Sequence, residues 1–101
     1  MPRVRISRRA QADFDELLEY LVGVAGRGVA DKYGRGIRAS INRIAELPGT
    51  GSPRPALGLG TRVVIVRPYL IFYQIAEDDS VLVLRILHGH RNITGDLLRP
   101  R

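Results

Sequence analysis

The polar and apolar positions of this chain change rhythm several times, and each change marks an element. Residues 3–6, RVRI, alternate charged and apolar side chains, the period of a short edge strand. Ser7 is placed to cap a helix. From it Ala10, Phe14, Leu17, Leu18, Leu21 and Ala25 recur at spacings of three and four, with Asp13, Asp15, Glu16 and Glu19 on the other sides. Gly26 and Gly28 break that pattern. A second helical face follows in Ala30, Tyr33, Ile37, Ile41, Ile44 and Leu47, and Pro48 and Gly49 end it. Two amphipathic helices with so short a link predict an antiparallel hairpin. Gly34 and Gly36 lie inside the second helix, each at a cost of roughly 1 kcal/mol relative to alanine. They are either tolerated defects or a small-residue face that lets the first helix approach closely.

Residues 48–60, PGTGSPRPALGLG, carry the prolines and glycines of a loop. Three strand-like runs follow: TRVVIVR at 61–67, YLIFYQIA at 69–76 and VLVLRILH at 81–88. Their connections are too short for a parallel crossover, so an antiparallel meander is expected. RNITGDLLRPR then reads as a short polar tail with one helical turn. The predicted fold is α+β, a single domain over residues 1–101. It has a short N-terminal strand and a helical hairpin packed on one face of a small antiparallel sheet.

Strand parity sorts the last run into two sets. Leu82, Leu84 and Ile86 share one face, expected under the helices; Val81, Val83, Arg85 and Leu87 share the other. Two helices cover only one face. The opposite face is then either an exposed apolar surface with Arg85 beside Arg62 or Arg67, the mark of an interaction site, or it is covered by loop 48–60 or the tail.

Composition narrows the chemistry. The 101 residues include 16 basic and 10 acidic side chains, a net charge of +6, and Lys32 is the one lysine. Arginine's planar fork suits phosphate and carboxylate, so an acidic partner is expected, although the basic excess is spread along the chain rather than gathered in an arm. There is no cysteine, which fits a reducing cytoplasm. No apolar run reaches the roughly 18 residues of a membrane span, so no membrane partner is expected. His88 and His90 have a spacing that could put both rings on one strand face. A metal site would need further ligands, however, and no other His or Cys exists. Neither a metal nor another cofactor is expected. No serine sits in a nucleophile elbow, and GLGTR leads into a strand rather than from a strand into a helix, unlike a phosphate loop. RNA cleavage remains open. His88 or His90 could serve as base, with Arg67, Arg85 and Arg91 as cations for the phosphorane charge. The alternative makes His88 a strand terminus and His90 a solvated tip.

The order of these elements, with ISRRAQADFDELLEYL after the first strand, RVVIVRPYLIFYQI as a hairpin and VLRILHGHRNI at the end, resembles the RelE/ParE toxins over nearly the whole chain. The resemblance implies a type II toxin–antitoxin system and a cognate, ParD-like antitoxin that neutralises the toxin by direct binding. RelE-like members cleave mRNA on the ribosome, often with a tyrosine in the C-terminal tail. The tail here, HGHRNITGDLLRPR, has neither tyrosine nor lysine. ILHGHRNI and VRPYLIFY resemble the ParE branch, which poisons DNA gyrase without being an enzyme. On that reading Arg67, Arg85 and Arg91 are the candidate target contacts, and nucleic acid is engaged only indirectly. The antitoxin's dock is either the helix hairpin (Leu17, Tyr20, Leu21, Val24) or the sheet face (Val81, Val83, Arg85, Leu87). The alternative is a ribosome-dependent endoribonuclease using Arg67, Arg85, His88 and His90.

Overall fold

The computed structural model describes residues 3–91 and 93–99; Met1, Pro2, Asn92, Pro100 and Arg101, and with them parts of the expected tail, lie outside the described residues. Strand β1 (Val4–Ile6) leads into helices α1 (Arg8–Ala25) and α2 (Arg27–Glu46). Strand β2 (Ser52–Pro53) lies between two short 3₁₀ turns, and β3 (Thr61–Val66), β4 (Tyr69–Ile75), β5 (Val81–His88) and a single turn, α3 (Gly95–Leu98), complete the fold. The sheet runs β1-β5-β4-β3-β2.

Ser7 caps α1 as its sequence position implies: its Oγ accepts the Ala10 N–H at 3.0 Å and donates to the Leu84 carbonyl at 2.9 Å. One side chain thus starts the helix and ties it to the last strand. Gly26 alone separates the helices at φ +92°, a backbone conformation that β-carbon-bearing residues rarely adopt. Gly28 belongs to the first turn of α2. Between the two readings of the α2 glycines, packing decides for Gly34: it is buried, and a β-carbon there would sit 3.3 Å from Leu18 Cδ2. The first helix approaches it closely.

The sheet departs from expectation in three ways. It is mixed rather than wholly antiparallel, because β1 pairs in parallel with β5, Val4 opposite Val81. A two-residue strand, β2, forms within the expected loop. Most consequentially, the parity of β5 is not constant. Between Phe72 and Tyr73 the register slips, with Phe72 opposite Arg85 but Tyr73 opposite Val83. Leu84 is therefore the extra residue of a bulge, and side chains beyond it change face. Val81, Val83 and Ile86 pack beneath α1 and α2 with Phe14, Ile37, Ile41, Ile71 and Tyr73. Leu84 and Leu87 lie on the opposite face with Val63, Phe72 and Leu98, and Leu82 packs against them. The parity expected from the sequence is right for Ile86 and Leu87, beyond the bulge, and reversed for Val81, Leu82, Val83 and Leu84.

The opposite face is not bare. Leu57 from the loop and Ile93, Leu97 and Leu98 from the C-terminal segment cover part of it, giving the sheet a second core. The loop is held from the other side. The Tyr73 hydroxyl donates to the Pro48 carbonyl at 2.6 Å and accepts the Gly51 N–H at 2.7 Å, and Arg62 donates to the Gly51 carbonyl at 2.7 Å. Gly51 has no room for a side chain, since a β-carbon would lie 2.6 Å from that hydroxyl.

Candidate functional site

Arg85 is the first of the proposed contact residues to be placed, and it is not at the surface. It is 5% exposed. β1 stops pairing at Val83, and Asp13 on α1 takes up the strand edge beyond it, accepting the Ile86 N–H at 3.0 Å. Arg85 meets the same carboxylate with two bonds, Nε at 2.7 Å and Nη2 at 2.8 Å, and gives Nη1 to the Leu97 carbonyl at 2.9 Å. The bond to Asp13 raises the arginine's pKa against the opposing effect of burial, and the charges of Asp13 and Glu16 add to it. This guanidinium joins the helix layer to the C-terminal cover. In this fold it is turned inward, away from any surface that a target or a phosphate would meet. The sequence shows Asp13 only as one of several polar residues off the apolar helix face; its burial comes from where β1 ends.

Most of the proposed antitoxin contacts are interior as well. Leu17 and Leu21 face the helix–sheet core, Val81 and Val83 lie beneath the helices, and Leu87 belongs to the second core. Each points inward because its face is already covered by the chain itself. Tyr20 and Val24 are exposed, at 66% and 62%, with Val22 and Val29 also exposed near the hairpin end.

The remaining candidates gather at one end of the sheet. The β3–β4 turn and the end of β5 are tied together where the Gly89 N–H donates to the Pro68 carbonyl at 2.7 Å. This bond sets Arg67 and Pro68 beside His88 and His90. Four rings then form a ladder from the core outward. Tyr33 meets Tyr69 edge-on at 5.8 Å, Tyr69 meets His88 edge-on at 5.8 Å, and His88 stacks on His90 at 4.8 Å with 23° between planes. The His90 N–H donates to His88 Nδ1 at 3.1 Å, leaving Nε2 as the ring nitrogen for an external partner. Burial pushes the Tyr69 hydroxyl pKa up, with the nearby Tyr33 and Tyr20 adding to the shift.

His88 separates two clefts. One, of about 270 Å³, includes Asp13, Glu16, Tyr20, Tyr69 and Arg91 in its lining. The other, of about 440 Å³, is lined by Ile65, Arg67, Pro68, Leu70, His88, Gly89 and His90, with no carboxylate. Arg67 and Arg91 are exposed, and neither has a side-chain hydrogen bond or ion pair among the described residues. The structure thus brings Arg67, His88, His90 and Arg91 to one end and leaves Arg85 out. No group of three or more His, Asp or Glu able to hold a metal occurs among the described residues, nor does any helix there have the length and apolarity to cross a membrane.

Comparison with known proteins fits this architecture. The family model described as ParE toxin of type II toxin–antitoxin system, parDE, matches residues 4–93. Toxin ParE1 of Caulobacter vibrioides is 35% identical over 97 residues, covering 96% of this chain and 99% of the relative. Toxin ParE3 of the same organism is 30% identical and covers 96% of each chain. A solved structure described as the chromosomal ParDE TA system from P. aeruginosa shares the fold, with a TM-score of 0.74 over 87% of this chain and 96% of that one at 23% identity.

Proposed function

Because the chain belongs to the ParE toxin family of type II toxin–antitoxin systems, we propose that it stops growth by binding DNA gyrase and stabilising the cleaved-DNA complex, and that a ParD-like antitoxin neutralises it by direct contact. The observation that supports a binding mode over RNA cleavage is the commitment of Arg85. A ribonuclease site needs cations free to meet the phosphorane charge. Here one of the three arginines is buried and bonded to Asp13 and the Leu97 carbonyl. Arg67 and Arg91 remain as exposed charges at the sheet end, which suits recognition of an acidic surface.

For the antitoxin, the exposed apolar positions Tyr20 and Val24 at the hairpin end favour an amphipathic segment, whose acidic residues would complement the arginines and speed association. Controlled expression in cells provides the test. Double-strand breaks and an SOS response are expected, and translation arrest without DNA damage contradicts the gyrase reading. Coexpression with an adjacent small antitoxin gene is expected to give one co-purifying complex.

The ribonuclease alternative retains one favourable observation, the placement of Arg67, His88 and His90 around a single cleft. If it holds, changing both histidines to alanine abolishes killing and leaves the fold intact.

A further inference from the structure

We propose that the cleft between the β3–β4 turn and the HGH turn binds single-stranded DNA directly, one base stacking on His90 and the adjoining phosphate meeting Arg67. The gyrase reading had this chain touching nucleic acid only through its protein target, so this inference deepens that reading and rests on it.

Ring geometry is the first argument. His90 is exposed, yet its inner face lies against His88, which is held in turn by Tyr69 and Tyr33. The Gly89 N–H and His90 N–H both hold the turn, at 2.7 Å to Pro68 and 3.1 Å to His88. A planar ring fixed at the surface with one face open is a stacking platform prepared before any ligand arrives. Stacking on such platforms tolerates any base, because every base has a π-face.

Charge is the second. The cleft beside His90 has Arg67 in its lining and no carboxylate. The cleft on the other side of His88 has Arg91 but also Glu16 and Asp13. Asp13 is neutralised by Arg85, but Glu16 is exposed and would repel phosphate. The strand is therefore expected along the Arg67 side, with Arg91 across His88 in the other cleft. Ile65, 57% exposed, supplies apolar floor next to Arg67. The cleft's volume suits a nucleotide-sized group. A paired base has both faces covered within the duplex, so the platform selects unpaired strands. On the gyrase reading the chain acts beside cleaved DNA, which argues for DNA as the occupant.

The test is fluorescence anisotropy of a labelled 12-nucleotide oligo-dT with the purified chain, in the absence of gyrase. Binding to oligo-dT tighter than to a blunt duplex of the same length is expected. His90→Ala should weaken it about tenfold, and His90→Phe, which keeps a ring, should preserve it. Arg67→Gln should reduce the slope of log K against log salt by about 0.7, one phosphate contact on a single strand. These side chains are exposed, so thermal melting should be unchanged. Wild-type affinity in His90→Ala overturns the proposal, as does duplex binding equal to single-strand binding. Tighter binding of oligo-U than oligo-dT overturns the DNA assignment in favour of RNA. Gyrase poisoning is measured separately as DNA breaks. Breaks without oligonucleotide binding refute only this inference, and oligonucleotide binding without breaks refutes only the gyrase reading.

Discussion

The two faces of the sheet are covered by different means. On one, two long helices set down a continuous apolar surface of residues such as Phe14, Leu17, Ile37 and Ile41. On the other, a loop residue, Leu57, and a C-terminal segment with one helical turn cover Val63, Phe72, Leu84 and Leu87. The helix face is held by burial spread over many residues. The opposite face relies on a few, with Arg85 fastening its cover to α1 through Asp13 and the Leu97 carbonyl. An element without its own hydrogen-bonded framework needs such a fastening, because one turn of helix is not stable alone. The cover also stops short, leaving Ile65 and the Arg67–His90 end open.

Breaking the link between the faces should have the largest effect. Arg85→Ala leaves the Asp13 carboxylate buried without its partner and releases Leu97, so a loss of about 3–5 kcal/mol in urea unfolding is expected. A loss below about 1 kcal/mol would show that the two covers do not depend on this pair. The cores can then be compared directly. Ile71→Ala, at a position with 0% exposure, should cost about 2–5 kcal/mol, whereas Leu98→Ala, in the thinner cover, should lie near about 2 kcal/mol. Hydrogen exchange should sharpen the contrast: Leu98→Ala loosens the C-terminal segment locally, and Ile71→Ala lowers protection throughout.

Smaller effects concern the polar ties. Tyr73→Phe removes the partner of both the Pro48 carbonyl and the Gly51 N–H, and a cost of about 1–3 kcal/mol is expected from the unsatisfied groups. The smallest effect is alkaline. Unfolded tyrosine titrates near pH 10, and Tyr69 keeps its proton to higher pH in the fold because it is desolvated. Its contribution is intact below about pH 10 and is lost as pH rises through the higher folded value. The urea midpoint should therefore fall less steeply above pH 10 in Tyr69→Phe than in the unaltered chain.

How far these features are legible in the sequence follows from the same contrast. The helices announce themselves because Phe14, Leu17 and Leu21, or Ile37, Ile41 and Ile44, repeat with the helical period. The cap at Ser7 and the break at Gly26 are equally local. The second core has no such rhythm. Leu57 and the Leu97–Leu98 pair are short apolar steps in polar or glycine-rich stretches, and nothing periodic connects them with Val63 or Phe72. The bulge at Leu84 is hidden for another reason: VLVLRIL is apolar in both registers, so alternation alone cannot say which set faces the helices. Arg85 keeps the face that its parity predicts, opposite Phe72, but that face is covered and Asp13 holds its guanidinium. The candidate site is partly legible. HGHR and VRPY are visible as motifs, but their meeting depends on the Gly89–Pro68 bond between segments some twenty positions apart.

If the sheet end is the acting surface, purified DNA gyrase with plasmid DNA should reveal it. The unaltered chain is expected to trap cleaved DNA, and an Arg67→Gln/Arg91→Gln double variant with unchanged melting is expected to lose most of that trapping. Equal trapping by the double variant, or none by the unaltered chain, would contradict it.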